Sequence, residues 1–461
     1  MLGILLTLLA LMLFINKRYE YSLLAFLLLI TNGFQILPSA VLLTGAPVEK
    51  PTDMAIFFVL GVFLHRFDTI RQIIRHERIF RWLLAFLAFI ALDAIYSYQV
   101  LGYDLIGILK VFRNYLCLLS FGVFVMVPTP VLLRVLHVLA VITVIQCILY
   151  LAQIPTGVAL LQAGSAGSEI TVHGSEETGF IRFYNTPMFL TPTLFYYLFV
   201  FHCKSQVIHK LVLSLLILTV VAPMHRNYMF CLALVASLHV LFHQSQKRRI
   251  LYIAGLLLIG FGLLTVDPVN NRLTQGLDDF KQTFTGKQSF ANKDYDNNTF
   301  AYRMAHLFER IDYVVSQPDR YVFGIGLLSE DTRQAEKLPF SVGVFNERLE
   351  RTTQINTGDI AWSLLILQLG FLGTGLFVLL MIHFIRFFYQ HRSIPFSALG
   401  LSTLSLTLLI SFTGTEILMI PFRTYLLLLA AIVVKMAYSP GAVSVSPNQA
   451  QPIYNQPLVQ V

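Results

Sequence analysis

The chain has 461 residues, of which 56% are hydrophobic and only 13% are charged, and its formal net charge is +8. A soluble domain could not bury that much apolar surface, so the composition excludes an ordinary globular protein. The excess of Lys and Arg lies mostly in short loops between apolar runs, which argues for membrane topology and against nucleic-acid binding.

The apolar runs predict membrane-spanning helices. A hydrocarbon layer of about 30 Å is crossed by roughly 20 helical residues, and helices satisfy their backbone polar groups inside lipid. The sequence therefore predicts an all-α, polytopic transmembrane bundle of about 12 to 13 spans. The runs are 2–15, 21–43, 53–65, 82–99, 104–127, 134–153, 187–202, 207–222, 227–243, 250–266, 359–385, 395–412 and 421–437.

These runs also predict the domain organisation. Residues 1–154 are N-terminal transmembrane helices, and 155–266 are further helices with a first outer loop. Residues 267–358 form one large periplasmic loop that contains amphipathic helices, and 359–437 are the C-terminal transmembrane helices. The tail 438–461 is rich in Pro, Gln, Val and Ser, so we expect it to be cytoplasmic and disordered.

Lys and Arg in the short loops predict the orientation, because positive charge resists translocation. The basic loop residues all fall on one side, which is predicted to be cytoplasmic. They are Lys17, Arg18, Arg66, Arg71, Arg75, Arg78, Arg81, Arg134, Lys204, Lys210, Lys247, Arg248, Arg249, Arg386 and Arg392. Three longer segments, 155–186, 223–227 and 267–358, fall on the opposite side, where we expect the functional site.

The large outer loop contains a two-faced helix in "FAYRMAHLFERIDYVV". At about 100° per residue it has an apolar face with a basic edge. The apolar face is Phe300, Met304, Leu307, Phe308, Ile311, Val314 and Val315, and the edge is Arg303, His306 and Arg310. Such a helix suits the membrane surface, where its basic edge would face an anion. The alternative is a solvated face on a packed loop helix.

Two further arginines lie on the same predicted side. Arg182 occurs in "GFIRFYNTP" just before a span, and Arg226 occurs in "APMHRNYMF" between two spans. Each alone is explained by a side chain that extends from the mouth of a span to the interface. Guanidinium groups match phosphate oxygens, so convergence of Arg182, Arg226 and Arg303 would suit a pyrophosphate carried on a lipid.

Charged residues also occur within the spans, where charge is costly and usually faces a cavity. Lys110 and Arg113 lie one helical turn apart in the fifth span and are candidates to line the anionic site. Arg423 lies near Glu416 at the outer end of the last span, which predicts a structural ion pair.

Two segments, "YRMAHLFERIDYVVSQPDRYVFGIGL" and "INTGDIAWSLLILQLGFLGTGLFVLL", resemble the O-antigen polymerase and O-antigen ligase superfamily of bacterial envelope glycosyltransferases. The motifs are short, and the specific feature is their order around a large loop between late spans. "RFYNTP" and "HRNYM" extend the resemblance to about the C-terminal two-thirds of the chain. The matching positions are Arg303, Pro318, Gly324, Gly326, Asp359, Gly370 and Gly373.

The resemblance implies an enzyme of the bacterial inner membrane whose active site faces the periplasm. It would transfer a growing glycan from undecaprenyl pyrophosphate to a hydroxyl of another lipid-linked repeat unit, without nucleotide sugar, metal or other cofactor. A chain-length regulator and a flippase of the same pathway are further implied partners. The product would be a surface polysaccharide: O-antigen, capsule or exopolysaccharide.

The same resemblance assigns roles. Arg182, Arg226 and Arg303 would hold the leaving pyrophosphate, with Lys110 and Arg113 as further binding residues. The acceptor hydroxyl needs a base, and Asp359 is the first candidate, followed by His306 and Glu416. Alternatively, Asp359 caps a helix, since "NTGD" precedes a helix start.

Two other functions remain open. Ligases typically carry a His-Asn pair where this chain has "NTGDIAW", so Asp359 favours a polymerase over an O-antigen ligase that transfers glycan to lipid A-core. A non-enzymatic transporter is the rival from another class. Such proteins usually contain internal repeats, and the two halves of this chain show no self-similarity.

Overall fold

The computed structural model describes residues 2–44, 48, 50–162, 173–174, 181–223, 225–243, 254–255, 299–340, 342–346, 351–353, 355 and 359–438. These residues are predominantly α-helical, as the apolar runs predict. Two short antiparallel strand pairs join residues within the loops. The predicted all-α class is therefore confirmed, while the tail 439–461 and most of the run 250–266 lie outside the described residues.

The elements of the first half are α1 (Leu2–Ile15), α2 (Tyr19–Ile30), α3 (Ser39–Leu43), α4 (Pro51–His65), α5 (Phe67–His76), α6 (Arg78–Gln99), α7 (Leu105–Leu116), α8 (Ser120–Met126) and α9 (Thr129–Thr156). Those that follow are β1 (His173–Gly174), β2 (Ile181–Arg182), α10 (Leu190–Phe199), α11 (Gln206–Val221), α12 (Arg226–His243), α13 (Thr299–Val315), β3 (Val344–Asn346), β4 (Arg351–Thr353), α14 (Ala361–Gln390), α15 (Pro395–Ile410) and α16 (Ile420–Tyr438).

Among the described residues, five helical segments are long and apolar enough to cross a membrane. They are Arg78–Gln99, Leu105–Met126, Thr129–Thr156, Ala361–Gln390 and Ile420–Tyr438. Six shorter apolar helices lie beside them, and the predicted count of 12 to 13 spans stays a prediction. α16 lies at the centre, where every residue from Arg423 to Val434 is buried against neighbouring helices, among them α8 and α15.

The predicted run 21–43 is not one continuous helix, because the helix stops halfway. α2 ends at Ile30, and Asn32, Gly33, Phe34 and Gln35 all have positive φ. A run of left-handed residues cannot continue a right-handed helix. The Gln35 side chain instead accepts a hydrogen bond from the backbone N–H of Met188 at 2.8 Å, so this turn holds the chain that leads into α10.

The loop after α13 docks onto a break in α14. Gly370 interrupts the helix with φ +63° and ψ −170°, and Gly324 has φ +59°. The N–H of Ile325 donates to the carbonyl of Leu367 at 2.8 Å. A Cβ atom at Gly370 would lie 2.7 Å from the nitrogen of Gly324, so only glycines allow the two backbones to approach this closely. This docking holds the loop between α13 and α14 against the first part of α14.

α13 forms where it was predicted, but most of its predicted basic edge is buried. Its buried side consists of Ala301, Ala305, His306, Arg310 and Val314. Phe308 and Val315 of the predicted apolar face are 46% and 48% exposed. His306 and Arg310 therefore point into the protein, and of the predicted basic edge only Arg303 stays partly exposed.

Arg310 turns inward because the rest of the loop satisfies it. Its Nη2 donates to the carbonyl of Val342 at 2.8 Å, and its Nη1 pairs with Glu309. The guanidinium carbon lies 4.1 Å from the centre of the Phe340 ring, a cation–π distance. Arg310 thus joins α13 to the following part of the loop.

Candidate functional site

Arg303 and Asp359 form an ion pair where α13 meets the start of α14. Nη2 of Arg303 donates to Oδ1 of Asp359 at 2.9 Å. The two side chains are 21% and 35% exposed, so the pair is accessible from outside the bundle. Two predicted site residues that lie 56 positions apart in sequence are therefore neighbours in space.

Asp359 does not occupy the cap position of α14. That position belongs to Ile360, which makes no side-chain capping bond. The N–H of Ala361 approaches the carbonyls of Ser411 and Gly414, each at 3.1 Å. The turn between α15 and α16 thus satisfies the first residue of the helix, and the Asp359 carboxylate contacts Arg303.

Glu416 lies in that same turn and interacts with the same arginine. It begins a short 3₁₀ helix, Glu416–Leu418, and its Oε2 atom is buried without a hydrogen-bond partner among the described residues. Burial raises the pKa of the Glu416 carboxyl above its ordinary value, and a backbone hydrogen bond and the positive charge of Arg303 oppose part of that rise. Arg303 therefore lies in the field of two carboxyl groups in different environments.

The start of α12 contacts this turn as well. The side-chain amide of Asn227 donates to Oγ1 of Thr413, and Tyr228 interacts electrostatically with Glu416. Arg226 is the first residue of α12, so its backbone lies beside these contacts. The side chain of Arg226 lies outside the described part of the structure.

The segment that contains Arg182 reaches the same end of the bundle. Arg182 pairs with His173 in the β1–β2 ladder, and its side chain also lies outside the described part. The rings of Tyr184 and His225 are 5.5 Å apart, and Phe183 packs in one apolar cluster with Ala222. The backbones that carry Arg182 and Arg226 are thus neighbours.

Lys110 and Arg113 have partners elsewhere. Nη1 of Arg113 donates to Oδ2 of Asp53 at 2.7 Å, and the Asp53 side chain is 7% exposed. Nζ of Lys110 lies 3.4 Å from Oδ2 of Asp331. These pairs connect α7 to α4 and to the loop between α13 and α14, whereas Arg303 pairs with Asp359 at the start of α14.

The predicted ion pair between Arg423 and Glu416 is wrong, since within the described residues it does not form. Nη2 of Arg423 donates to the carbonyl of Asn114 at 2.9 Å. Its guanidinium carbon lies 5.3 Å from the centre of the Tyr115 ring. Arg423 therefore joins α16 to α7, and Glu416 interacts with Arg303 instead.

His306 is close to the pair but fully buried. It lies three residues after Arg303, and neither ring nitrogen has a hydrogen-bond partner among the described residues. Burial lowers the pKa of His306 to about 3, and the charge of Arg310 contributes in the same direction. A base is most effective when its pKa lies near the working pH, so Glu416 is better suited to that role than His306.

Sequence reasoning missed three residues of this group: Asn227, Tyr228 and Tyr302. Asn227 and Tyr228 belong to the "HRNYM" motif, in which only Arg226 was predicted as a site residue. Burial raises the pKa of the Tyr302 hydroxyl to about 12, and both Asp359 and Arg303 act on it. The sequence feature that could have predicted Asn227 is its position directly after Arg226, as a polar residue at the start of a predicted span.

Neither a scan of protein-family models nor a search of curated proteins finds a match to this chain. What the group can do follows from its chemistry. It combines a fixed guanidinium with two carboxyl groups at one end of an apolar helix bundle. A guanidinium stabilises phosphate oxygens, and a carboxylate accepts a proton.

Proposed function

We propose that the protein is a metal-independent membrane glycosyltransferase that polymerises oligosaccharide repeat units carried on undecaprenyl pyrophosphate. It acts on the outer face of the bacterial inner membrane and makes a surface polysaccharide. The observation that carries the proposal is the Arg303–Asp359 pair with Glu416 in the field of the same guanidinium. The apolar bundle suits a lipid carrier, and the charged group suits its pyrophosphate.

The reaction is a glycosyl transfer. The acceptor hydroxyl oxygen forms a bond to the anomeric carbon of the donor glycan, while the bond from that carbon to the pyrophosphate oxygen breaks. The hydroxyl proton passes to a carboxylate, and the electron pair of the broken bond goes to the lipid pyrophosphate. Fixed positive charge stabilises that leaving group, which is often the largest catalytic contribution.

Arg303 has donors to spare for a pyrophosphate. Asp359 takes a hydrogen bond from Nη2, and the Arg303 side chain is 21% exposed, so part of the guanidinium is accessible to a ligand. Asp359 holds the guanidinium in place, so its planar fork is preorganised for phosphate oxygens. The segments that carry Arg182 and Arg226 reach the same end and supply two further candidate donors.

Two carboxyl groups are candidates for the base. Asp359 is the first, because it precedes a span and contacts the arginine. Glu416 has its Oε2 buried and a raised pKa, so it has the higher proton affinity that general base catalysis near neutral pH requires.

The proposal is tested with the purified full-length protein in vesicles that contain lipid-linked repeat units. A ladder of longer glycans on the carrier supports a polymerase. Transfer to lipid A-core without such a ladder indicates the O-antigen ligase instead. Movement of the repeat unit across the vesicle membrane without bond formation indicates a transporter and contradicts the enzymatic assignment.

A further inference from the structure

A second basic group lies at the opposite end of α14 from Asp359. A cavity of about 140 Å³ is formed by the start of α6 and the ends of α14 and α16. Its lining includes Arg78, His383, Arg386, His391 and Tyr438. A water molecule takes up about 30 Å³ in the liquid, so on the order of five waters fit, which is room for a phosphate group and its ester oxygens.

The charges around this cavity are not balanced within the described residues. Arg78 and Arg386 both act electrostatically on His383, and neither arginine forms an ion pair there. Glu77 is the one acidic residue among the described lining residues, and burial raises its pKa, while His76 favours its charged form. Like charges that converge in a partly enclosed space favour an anion between them.

The cavity also lies at the ends of α6, α14 and α16, three helices long and apolar enough to cross a membrane. Arg78 and Ile79 are the first two residues of α6, whose N-terminal N–H groups add partial positive charge. The ring of Trp82 lies 5.6 Å from that of His383, and Tyr438 is exposed. Tryptophan and tyrosine concentrate at the level of lipid headgroups.

We propose that this cavity binds the phosphate headgroup of an anionic phospholipid. Arg78 and Arg386 donate charge-assisted hydrogen bonds to the phosphate oxygens. Leu379 and Ile382 are exposed on α14 within two turns of Arg386, and they provide an apolar surface for the acyl chains. The bias of basic residues to one side of a membrane explains why arginines occur at this end, but not why they converge on a cavity.

The test uses the purified full-length protein and measures retention of phosphatidylglycerol by native mass spectrometry, with phosphatidylcholine and inorganic phosphate as comparison ligands. The double variant Arg78→Gln with Arg386→Gln should bind phosphatidylglycerol about tenfold more weakly or worse, since each basic residue near a lipid surface contributes substantially. The matched control is Arg71→Gln with Arg75→Gln, which removes the same charge from exposed arginines of α5 that do not line the cavity, whereas the exposed Arg78 and Arg386 do line it. That control should retain the lipid nearly as well as wild type.

Glu77→Gln gives an independent test that leaves both arginines in place. Removal of the carboxylate should increase retention of phosphatidylglycerol, and unchanged or weaker retention would overturn the proposal. If both double variants lose phosphatidylglycerol equally, the lipid is held by general surface charge and not by this cavity, which would overturn the proposal. Equal retention of phosphatidylcholine, or full displacement by millimolar inorganic phosphate, would overturn the assignment to an anionic lipid.

Discussion

At the start of α14, Arg303 is held by Asp359 and lies in the field of Glu416, whereas at its end Arg78 and Arg386 line a cavity without an ion-pair partner among the described residues. Arg386 follows Asp359 by 27 residues, so roughly 40 Å separate the two groups. Both ends present guanidinium groups at the edge of an apolar bundle. They differ in what holds those groups in place.

This difference indicates two uses of the same side chain. A guanidinium fixed by a carboxylate has its geometry set before substrate arrives, which suits charge that develops during a reaction. Arginines around a cavity without such a partner suit a ligand that brings permanent negative charge. We therefore expect substitutions at the first end to affect catalysis and those at the second to affect lipid retention.

The largest expected effect concerns the two carboxyl groups. Asn and Gln cannot accept a proton at neutral pH, so the variant that removes the base should polymerise about 10² to 10⁴-fold more slowly. We expect Glu416→Gln to show this loss together with normal protein abundance. Because the pKa of Glu416 is raised, wild-type activity should fall with decreasing pH through a midpoint above the ordinary value of 4.5. A large loss in Asp359→Asn with near-normal Glu416→Gln would assign the base to Asp359.

The next effect concerns Arg113. Its substitution distinguishes two roles, a structural ion pair with Asp53 and binding of the substrate. Arg113→Ala removes the ion-pair partner of the almost wholly buried Asp53, which keeps its hydrogen bond from the backbone N–H of Lys50, so we expect a loss of about 1 to 3 kcal/mol in unfolding free energy. Arg134→Ala is the matched control, since Arg134 pairs with Glu20 at 2.7 Å on an exposed surface and should cost about 0 to 1 kcal/mol. If Arg113→Ala has normal stability but no longer polymerises, Arg113 is a substrate-binding residue and not a structural one.

A smaller effect is expected at the docking point of the loop. Gly370→Ala places a Cβ atom in a left-handed residue and against the Gly324 backbone, so it should cost at least about 1 to 2 kcal/mol of stability. Polymerisation should fall because α13 loses its position, whereas phosphatidylglycerol retention at the other end should persist. Gly375→Ala, where a Cβ meets nothing within 4 Å, is the control. Equal loss at both ends of α14 would contradict their independence.

A further effect concerns His306 and pH. Its folded pKa of about 3 lies below the ordinary 6.5, so the unfolded chain binds the proton more tightly between these values. Stability should therefore fall as pH falls from 6.5 towards 3, and His306→Gln should flatten that dependence. Thermal unfolding midpoints across this range measure it. An unchanged pH dependence in the variant would show that His306 is not the titrating group.

Local sequence patterns predicted the elements but not all of their faces. Period and composition located α13 and the long apolar helices, because those signals lie within one stretch of chain. The burial of His306 and Arg310 depends on partners such as Val342 and Phe340, which a helical projection does not contain. The hydropathy pattern likewise predicted a continuous helix across Asn32 to Gln35, because hydropathy carries no information on backbone conformation and these residues have positive φ.

The candidate site was predicted in part for the same reason. Motif order placed Arg303 and Asp359 at one end of the bundle, and the structure joins them. The interaction of Glu416 with Arg303 and the contact of Arg423 with Asn114 span more than a hundred positions each, so neighbouring residues carry no signal for them. Proximity in sequence suggested a pair between Arg423 and Glu416 that does not form in the described residues.

The most direct measurement compares Arg303→Lys with wild type in the vesicle polymerisation assay. Lysine keeps the charge but loses the planar fork, so glycan chain length should collapse, with a loss of about 10² to 10³-fold, while the protein inserts normally. Arg333→Lys, an exposed position of the same loop, should polymerise as wild type does. Wild-type chain lengths in both Arg303→Lys and Arg303→Ala would contradict a pyrophosphate site at the start of α14.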